Sequence, residues 1–214
     1  MNRRDFLLAS TVSLGSFAPA IGQSVDRRVV DPVAAGVEFW LHPRWVWLYR
    51  PVTGETIRTV YWQDGQIIES AYREISWFLR DVRFERMLKS SSPVITNALD
   101  RGVIGRAHLT PWALMDPFLI DILCAYCAWL NFYGIQKPVL VTSGLRHVLT
   151  NAMTEGAARD SWHTKGGAAD IVIPSVPSAQ MALFGRWLSG GGVGLYLAKN
   201  FVHVDRGRVR TWLG

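Results

Sequence analysis

Cysteine is scarce in this chain: 214 residues hold only Cys124 and Cys127. Their CxxC spacing invites a redox or metal reading. No second CxxC exists, and both thiols lie inside a continuous apolar helical pattern from Phe118 to Leu130. That setting reads as two small hydrophobes buried in a core. A disulfide between helical positions three apart is geometrically awkward. Charge is also thin, at 19% of residues, and no block of Lys and Arg interleaves with aromatics. A nucleic-acid surface is therefore not expected. No apolar run reaches the length of a comfortable membrane span. No internal repeat is present, and the Gly190-Gly191-Gly192 run is not followed by the Lys-Ser/Thr of a phosphate cradle. That run reads as a flexible or tight turn delivering the last strand.

What is present is apolar and aromatic. Hydrophobic residues make up 49% of the chain, and ten are Trp. That is ample material for one real core, and the length suits one domain plus short extras. Near the N-terminus, Arg3 and Arg4 precede Phe6 and Leu7, then an apolar stretch to Phe17, then Ala18-Pro19-Ala20. This resembles a twin-arginine (Tat) signal with a cleavage site over residues 1–20. The mature protein is thus expected in the periplasm or cell envelope, without stable membrane insertion. The formal charge is +6, and loss of residues 1–20 removes two Arg and one Asp to leave +5. A moderately basic exported protein suits an anionic envelope polymer. Residues 21–36 read as a flexible leader, and 37–214 as a single domain.

The elements read as follows. Phe39–Leu41 and Trp45–Arg50 have strand character, and Pro51–Glu55 turns into Thr56–Trp62, a hairpin. Helical spacing runs from Glu69 to Phe84. Ser90-Ser91-Ser92-Pro93 breaks the pattern, and no element is assigned from there to Pro111. A second helix spans Pro117 to Tyr133, with Gly134 as its cap. Pro138–Ser143 and Ala168–Ile173 read as buried strands, with a short helix between Asn151 and Ala158. Ser178–Leu188 is a helix, Gly190–Gly194 a loop, and Leu195-Tyr196 with Phe201–Asp205 a hairpin-like pair.

Chemistry gathers in the last third of the chain, about 138–214. His163 and Asp170 flank small residues that let the backbone turn tightly, and His203 stands in a strand two residues before Asp205. Two His and one Asp brought together make a three-ligand zinc site with a position open for water. Asp205 is then either a carboxylate supporting a ligand or a general base. On spacing alone, each of these residues is as readily an ordinary hydrogen-bonded polar group. His42 and His108 read as ordinary, whereas His147 could line the cleft.

Four motifs occur in order: Thr142-Ser143-Gly144-Leu145-Arg146, Ser161-x-His163-x-x-Gly166-x-Ala168-x-Asp170, Gly191-Gly192-Val193-Gly194 and Phe201-Val202-His203-Val204-Asp205. Together they resemble the M15 zinc peptidases, in particular the DUF882 branch of murein endopeptidases. The upstream hairpin, with Thr53-Gly54-Glu55 and Tyr61 to Gly65, is similar to that branch as well. The resemblance implies an α+β fold of the Hedgehog and D-Ala-D-Ala peptidase kind, a small antiparallel sheet flanked by helices. It implies one zinc ion per chain on His163, Asp170 and His203, and peptidoglycan peptides as substrate. It makes Arg146 a clamp for a substrate carboxylate and for charge developing on the scissile carbonyl. It lets Ser161 orient the loop or the peptide, and it points to Asp205 as the group accepting a proton from water.

In two places the chain departs from that branch. His147 stands where a small polar residue is frequent, which makes it a candidate for substrate contact, and Gly167 stands where Lys or Arg is frequent. The chain is expected to act as a monomer. The alternatives are a D-Ala-D-Ala carboxypeptidase, a non-catalytic peptidoglycan-binding protein of the same fold, and a thiol redox protein.

Overall fold

The computed structural model describes residues 40–214; the expected signal segment and leader lie outside the described residues. Trp40 and Leu41 are helical rather than extended. The helical rise brings the Trp40 carbonyl to the Arg44 guanidinium at 3.4 Å, and Arg44 lies over the Trp40 and Trp62 rings. The hairpin forms as expected. β1 (Arg44–Arg50) alternates buried and half-buried residues and pairs antiparallel with β2 (Glu55–Gln63). Gly54 takes the left-handed backbone of the connecting turn, with φ of 74°. A two-residue β3 (Gln66–Ile67) follows β2.

The single helix expected over Glu69–Phe84 is two: α1 (Glu69–Phe78) and α2 (Val82–Lys89). Apolar spacing alone could not reveal the break, because its cause is polar. The Leu79 carbonyl accepts from Leu145 N at 2.8 Å, and Asp81 N donates to the Pro111 carbonyl at 2.8 Å. Asp81 then caps α2, accepting from Phe84 N at 3.0 Å. Buried Arg80 sits in the break, ion-paired to Glu55 and Glu85. The stretch left without elements contains α3 (Pro93–Asp100), with Pro93 in its first turn.

α4 (Pro117–Phe132) starts on the Asp116 cap and ends at Tyr133, before Gly134 at φ 69°. It is the core helix, burying Leu119, Ile120, Leu123, Tyr126 and Leu130 beneath the sheet. Each such side chain contributes about 1.5–3 kcal/mol of hydrophobic burial. Cys124 and Cys127 are unpaired and buried in this helix. Burial pushes their thiols up, to about 11 and about 12. Cys127 Sγ accepts from Trp47 N at 3.4 Å, so these thiols fasten α4 to β1 and are not poised for redox work.

The remaining elements are β4 (Val139–Ser143), α5 (Val148–Ala152), β5 (Ala168–Val172), α6 (Ser178–Leu188), β6 (Gly192–Tyr196), β7 (Phe201–Asp205) and β8 (Arg210–Leu213). The short helix lies earlier than the expected Asn151–Ala158, because His147 caps it through Leu149 N. All strands join one eight-stranded sheet in the order β3-β2-β1-β4-β5-β7-β6-β8. The expected small antiparallel sheet is thus larger and mixed: β1–β4 and β6–β8 are parallel pairs, and the other neighbours are antiparallel.

Of the glycine stretch expected as a loop, Gly190 and Gly191 lie outside any strand, whereas Gly192 to Gly194 form the start of β6. Its glycines serve close packing: a Cβ on Gly192 would lie 2.6 Å from an Asp205 carboxylate oxygen. One on Gly194 would lie 2.5 Å from the Trp212 ring. α4 packs on β1, β4 and β7, and α6 on β6 and β7. One face of the sheet is therefore sealed by helices.

Candidate metal centre

One row of residues runs across five neighbouring strands in register. Ser143 of β4 pairs with Asp170 of β5, and Asp170 with His203 of β7. His203 pairs with Gly194 of β6, and Gly194 with Trp212 of β8. Direct cross-strand partners present their side chains on the same face, so Asp170 and His203 meet by construction. His163 enters from outside the sheet. It sits on the one-turn 3-10 helix Trp162–Lys165, capped by Ser161, whose hydroxyl accepts from His163 N at 3.3 Å. Gly166, at φ 70°, ends that turn and feeds β5. The loop after β4 clasps it: Arg146 N donates to the His163 carbonyl at 3.1 Å. His163 Nδ1 in turn meets the Gly144 carbonyl at 2.6 Å. Only glycine fits at 144, because a Cβ would lie 2.3 Å from the Leu79 carbonyl oxygen.

The three ligand atoms form a small triangle. His163 Nε2 is 3.2 Å from Asp170 Oδ1 and 3.1 Å from His203 Nδ1, and His203 Nδ1 is 2.9 Å from Asp170 Oδ1. The outer ring nitrogens fix where the protons are. His163 Nδ1 faces a carbonyl, which only accepts, so it carries the hydrogen. His203 Nε2 faces the Asp205 carboxylate at 3.0 Å, so it carries one too. With both imidazoles neutral, three lone pairs converge with no proton between them. A tetrahedral ion with ligands at about 2.0–2.1 Å separates donor atoms by roughly 3.3 Å, close to these edges. His163, Asp170 and His203 thus fit a divalent cation of the zinc type.

Electrostatics agree with an anionic ligand set. Burial opposes ionisation of Asp170, but His163 and His203 hold its carboxyl far below the ordinary range. Burial lowers His163, against the pull of Asp170, and so favours the neutral ring a metal requires. For His203 burial acts downward, and its bonds to Asp170 and Asp205 raise it above the usual value.

The residues around the triangle hold one another in place. Arg146 bonds Asp170 Oδ2 through one terminal nitrogen and Ser143 Oγ through Nε at 2.9 Å. It therefore braces a ligand first and leaves one terminal nitrogen for anything else. Asp205 is fully buried. Besides His203 it accepts from both Arg210 terminal nitrogens at 3.0 and 2.8 Å, from Gly207 N at 2.7 Å and from Gly192 N at 3.2 Å. Burial opposes this charge too, yet these donors keep the carboxyl well below its usual value.

Ser161 acts on His163 through the backbone. His147, expected as a substrate contact, caps α5. Its ring stacks on Phe84 at 3.7 Å, and Nδ1 accepts from Leu149 N at 3.2 Å. His108 is exposed and bonds Gly105 N at 3.0 Å. Sequence reasoning missed Arg210, Trp212 and Tyr196. The Arg210-Thr211-Trp212 alternation was the signal available, but four residues are too few to mark a strand by pattern.

A family model described as Peptidoglycan L,D-endopeptidase MepK matches residues 106–212, a span that contains the three ligands, Arg146, Asp205 and Arg210. Over 215 aligned residues the chain is 30% identical to peptidoglycan L,D-endopeptidase MepK of Escherichia coli K12. That alignment covers 99% of this chain and 97% of the relative. The MepK of Shigella flexneri matches to the same extent. A probable peptidoglycan L,D-endopeptidase MepK of Haemophilus influenzae is 42% identical over 111 residues, 47% of this chain and 55% of that one. No solved structure matches.

Proposed function

The chain belongs to the peptidase family of peptidoglycan L,D-endopeptidase MepK, and from that premise we propose that it is a zinc-dependent endopeptidase of peptidoglycan stem peptides. The single observation that carries the metal is the convergence of His163 Nε2, Asp170 Oδ1 and His203 Nδ1 at 2.9–3.2 Å from one another. Zinc held there supplies Lewis acidity toward a scissile carbonyl and lowers the pKa of a water to about 7.

The chain's own groups divide the remaining work. Asp205 fixes the His203 tautomer and ring angle, and Arg210 holds Asp205 in place. Every strong acceptor position on Asp205 is occupied and the group is sealed from solvent. We therefore assign it orientation rather than acceptance of the water proton. Arg146 keeps Asp170 aimed inward, and its remaining terminal nitrogen is suited to a substrate carboxylate or to oxygen charge in the transition state. The sheet face opposite the sealed helices offers the peptide its approach, since the side chains of His203 and Arg146 are each 12% exposed while that of His163 is 2% exposed.

The twin-arginine pattern at Arg3-Arg4 and the net positive charge favour export to the envelope, where this polymer lies. No helix among the described residues is long and apolar enough to cross a membrane. One chain holds the whole ligand set, which supports a monomer as the working unit.

The test is digestion of purified sacculi with and without a chelator, with products identified by mass spectrometry. Release of cross-link-cleaved muropeptides, stopped by chelator and restored by zinc, is the expected result. Loss of terminal D-alanine alone would make the enzyme a carboxypeptidase. Undiminished release in chelator would remove the metal.

A further inference from the structure

Beyond the ligands, the same sheet face carries a pair of aromatic residues, Trp212 and Tyr196. Trp212 lies flat across Gly194, the residue in register with His203, where a Cβ would lie 2.5 Å from the indole. The bare glycine lets the ring cross β6 and reach the metal cluster: the Trp212 and His203 ring centres are 5.3 Å apart. Arg210, which anchors Asp205, sits over the same indole at 4.8 Å. Two positions along β6 from Gly194 is Tyr196, on the same face. Its ring stacks on Phe201 at 4.4 Å, nearly parallel at 10°. Trp212 Nε1 donates to the Tyr196 hydroxyl at 3.2 Å.

The direction of that bond decides what Tyr196 can do. An indole N–H is only a donor, so the phenol oxygen must accept. The phenol's own hydrogen is then left to donate, and the Tyr196 hydroxyl has no other partner among the described residues. The side chain is half-exposed. Its ring is held by stacking on Phe201 and its oxygen by the indole N–H, and that indole lies beside His203, so the phenol is set in place on the sheet face that carries the cluster. A donor fixed in place before the substrate arrives loses little entropy on binding and is worth more than a mobile one.

We propose that Tyr196, held by Trp212, is a substrate-contacting residue that donates a hydrogen bond to a carbonyl oxygen of the peptide next to the scissile bond. This rests on the endopeptidase reading above. Tyr196 complements Arg146, a neutral donor from the β6 side of the sheet beside a cationic donor bonded to Ser143 of β4 and Asp170 of β5. Neither touches a ligand nitrogen, so the phenol acts on the peptide and not on the metal.

The experiment compares wild type, Tyr196→Phe and Trp212→Phe, all zinc-loaded. It measures kcat/KM on a soluble cross-linked muropeptide dimer and Kd for a synthetic stem peptide. Tyr196→Phe keeps the ring and its stacking, and loss of the donor should lower kcat/KM about tenfold or more. Zinc content and Tm should stay at wild-type values. Trp212→Phe, which frees the phenol without removing it, should give a smaller loss. Wild-type kcat/KM and Kd in Tyr196→Phe would overturn the proposal while leaving the endopeptidase reading intact. A wild-type protein that neither cleaves nor binds these peptides would overturn both. Loss of zinc in Tyr196→Phe would show that the phenol serves the metal site instead, and would also overturn it.

Discussion

Asp205 is the residue whose surroundings bear most on its role. From the sequence it could support His203 or take a proton from water, and the resemblance pointed to the second. Its complete burial and its bonds to His203, Arg210, Gly207 and Gly192 favour support. The two roles separate in one variant. Asp205→Asn keeps the shape but loses the charge that steadies the imidazole, and zinc affinity should fall about 10- to 100-fold. In a zinc titration, activity should climb back toward wild type as the site fills. Full occupancy with activity still abolished would return Asp205 to the role of proton acceptor. The convergence of His163, Asp170 and His203 was legible before the fold was known, because they stood in motifs with characteristic neighbours. Arg210 was not legible, because its importance comes from a side-chain bond to a residue five positions earlier that already had an assigned purpose.

Elements were readable where apolar spacing set them and unreadable where polar contacts did. The hairpin of β1 and β2 and the core helix α4 follow directly from alternation and helical periodicity. The break between α1 and α2 does not, since Leu79, Arg80 and Asp81 continue a tolerable helical pattern. What ends α1 is the distant pairing of the Leu79 carbonyl with Leu145 N, the same loop that carries Gly144 and Arg146 to the metal centre. Asp81 is the hinge pin. It caps α2 through Phe84 N at 3.0 Å, accepts from His147 N at 2.8 Å, and bonds the Thr150 hydroxyl. Asp81→Ala should cost about 2–4 kcal/mol, since it removes a cap and leaves buried donors unmet. For a chain of this size that corresponds to a fall in Tm of roughly 5–15 °C. Calorimetry checks it, and a change within about 0.5 kcal/mol would mean the break is held by packing alone. The entry of Gly192 and Gly194 into β6 has the same kind of cause. Gly192 and Gly194 look like turn residues in one dimension, but they are the flat places where Asp205, Arg210 and Trp212 cross the sheet.

At the scale of the whole molecule, helices seal one face of the mixed sheet and the opposite face presents chemistry. The fold class was legible as helices on a sheet, but the size of the sheet and its parallel pairs depend on long-range pairing that local pattern does not encode. Acid stability should report the cluster that joins the hairpin to the α1–α2 break. Glu85 is held below its usual value first by Lys89, then, against burial, by Arg80. Burial acts upward on Glu55, but Arg80 and Thr53 bring it below its usual value. For depressed carboxyls the stability is present above their unfolded-state value, about 4.3, and is lost as pH falls through the folded one. Glu85→Gln should therefore flatten the decline of Tm below about pH 4.3; an acid limb as steep as that of wild type would place the sensitivity elsewhere. Zinc content after loading and exhaustive dialysis tests the metal centre itself most directly. Wild type should retain one zinc ion per chain, and folded His163→Ala and His203→Ala should retain none. Wild type emerging without metal, or either variant keeping a full complement, would contradict the centre built here.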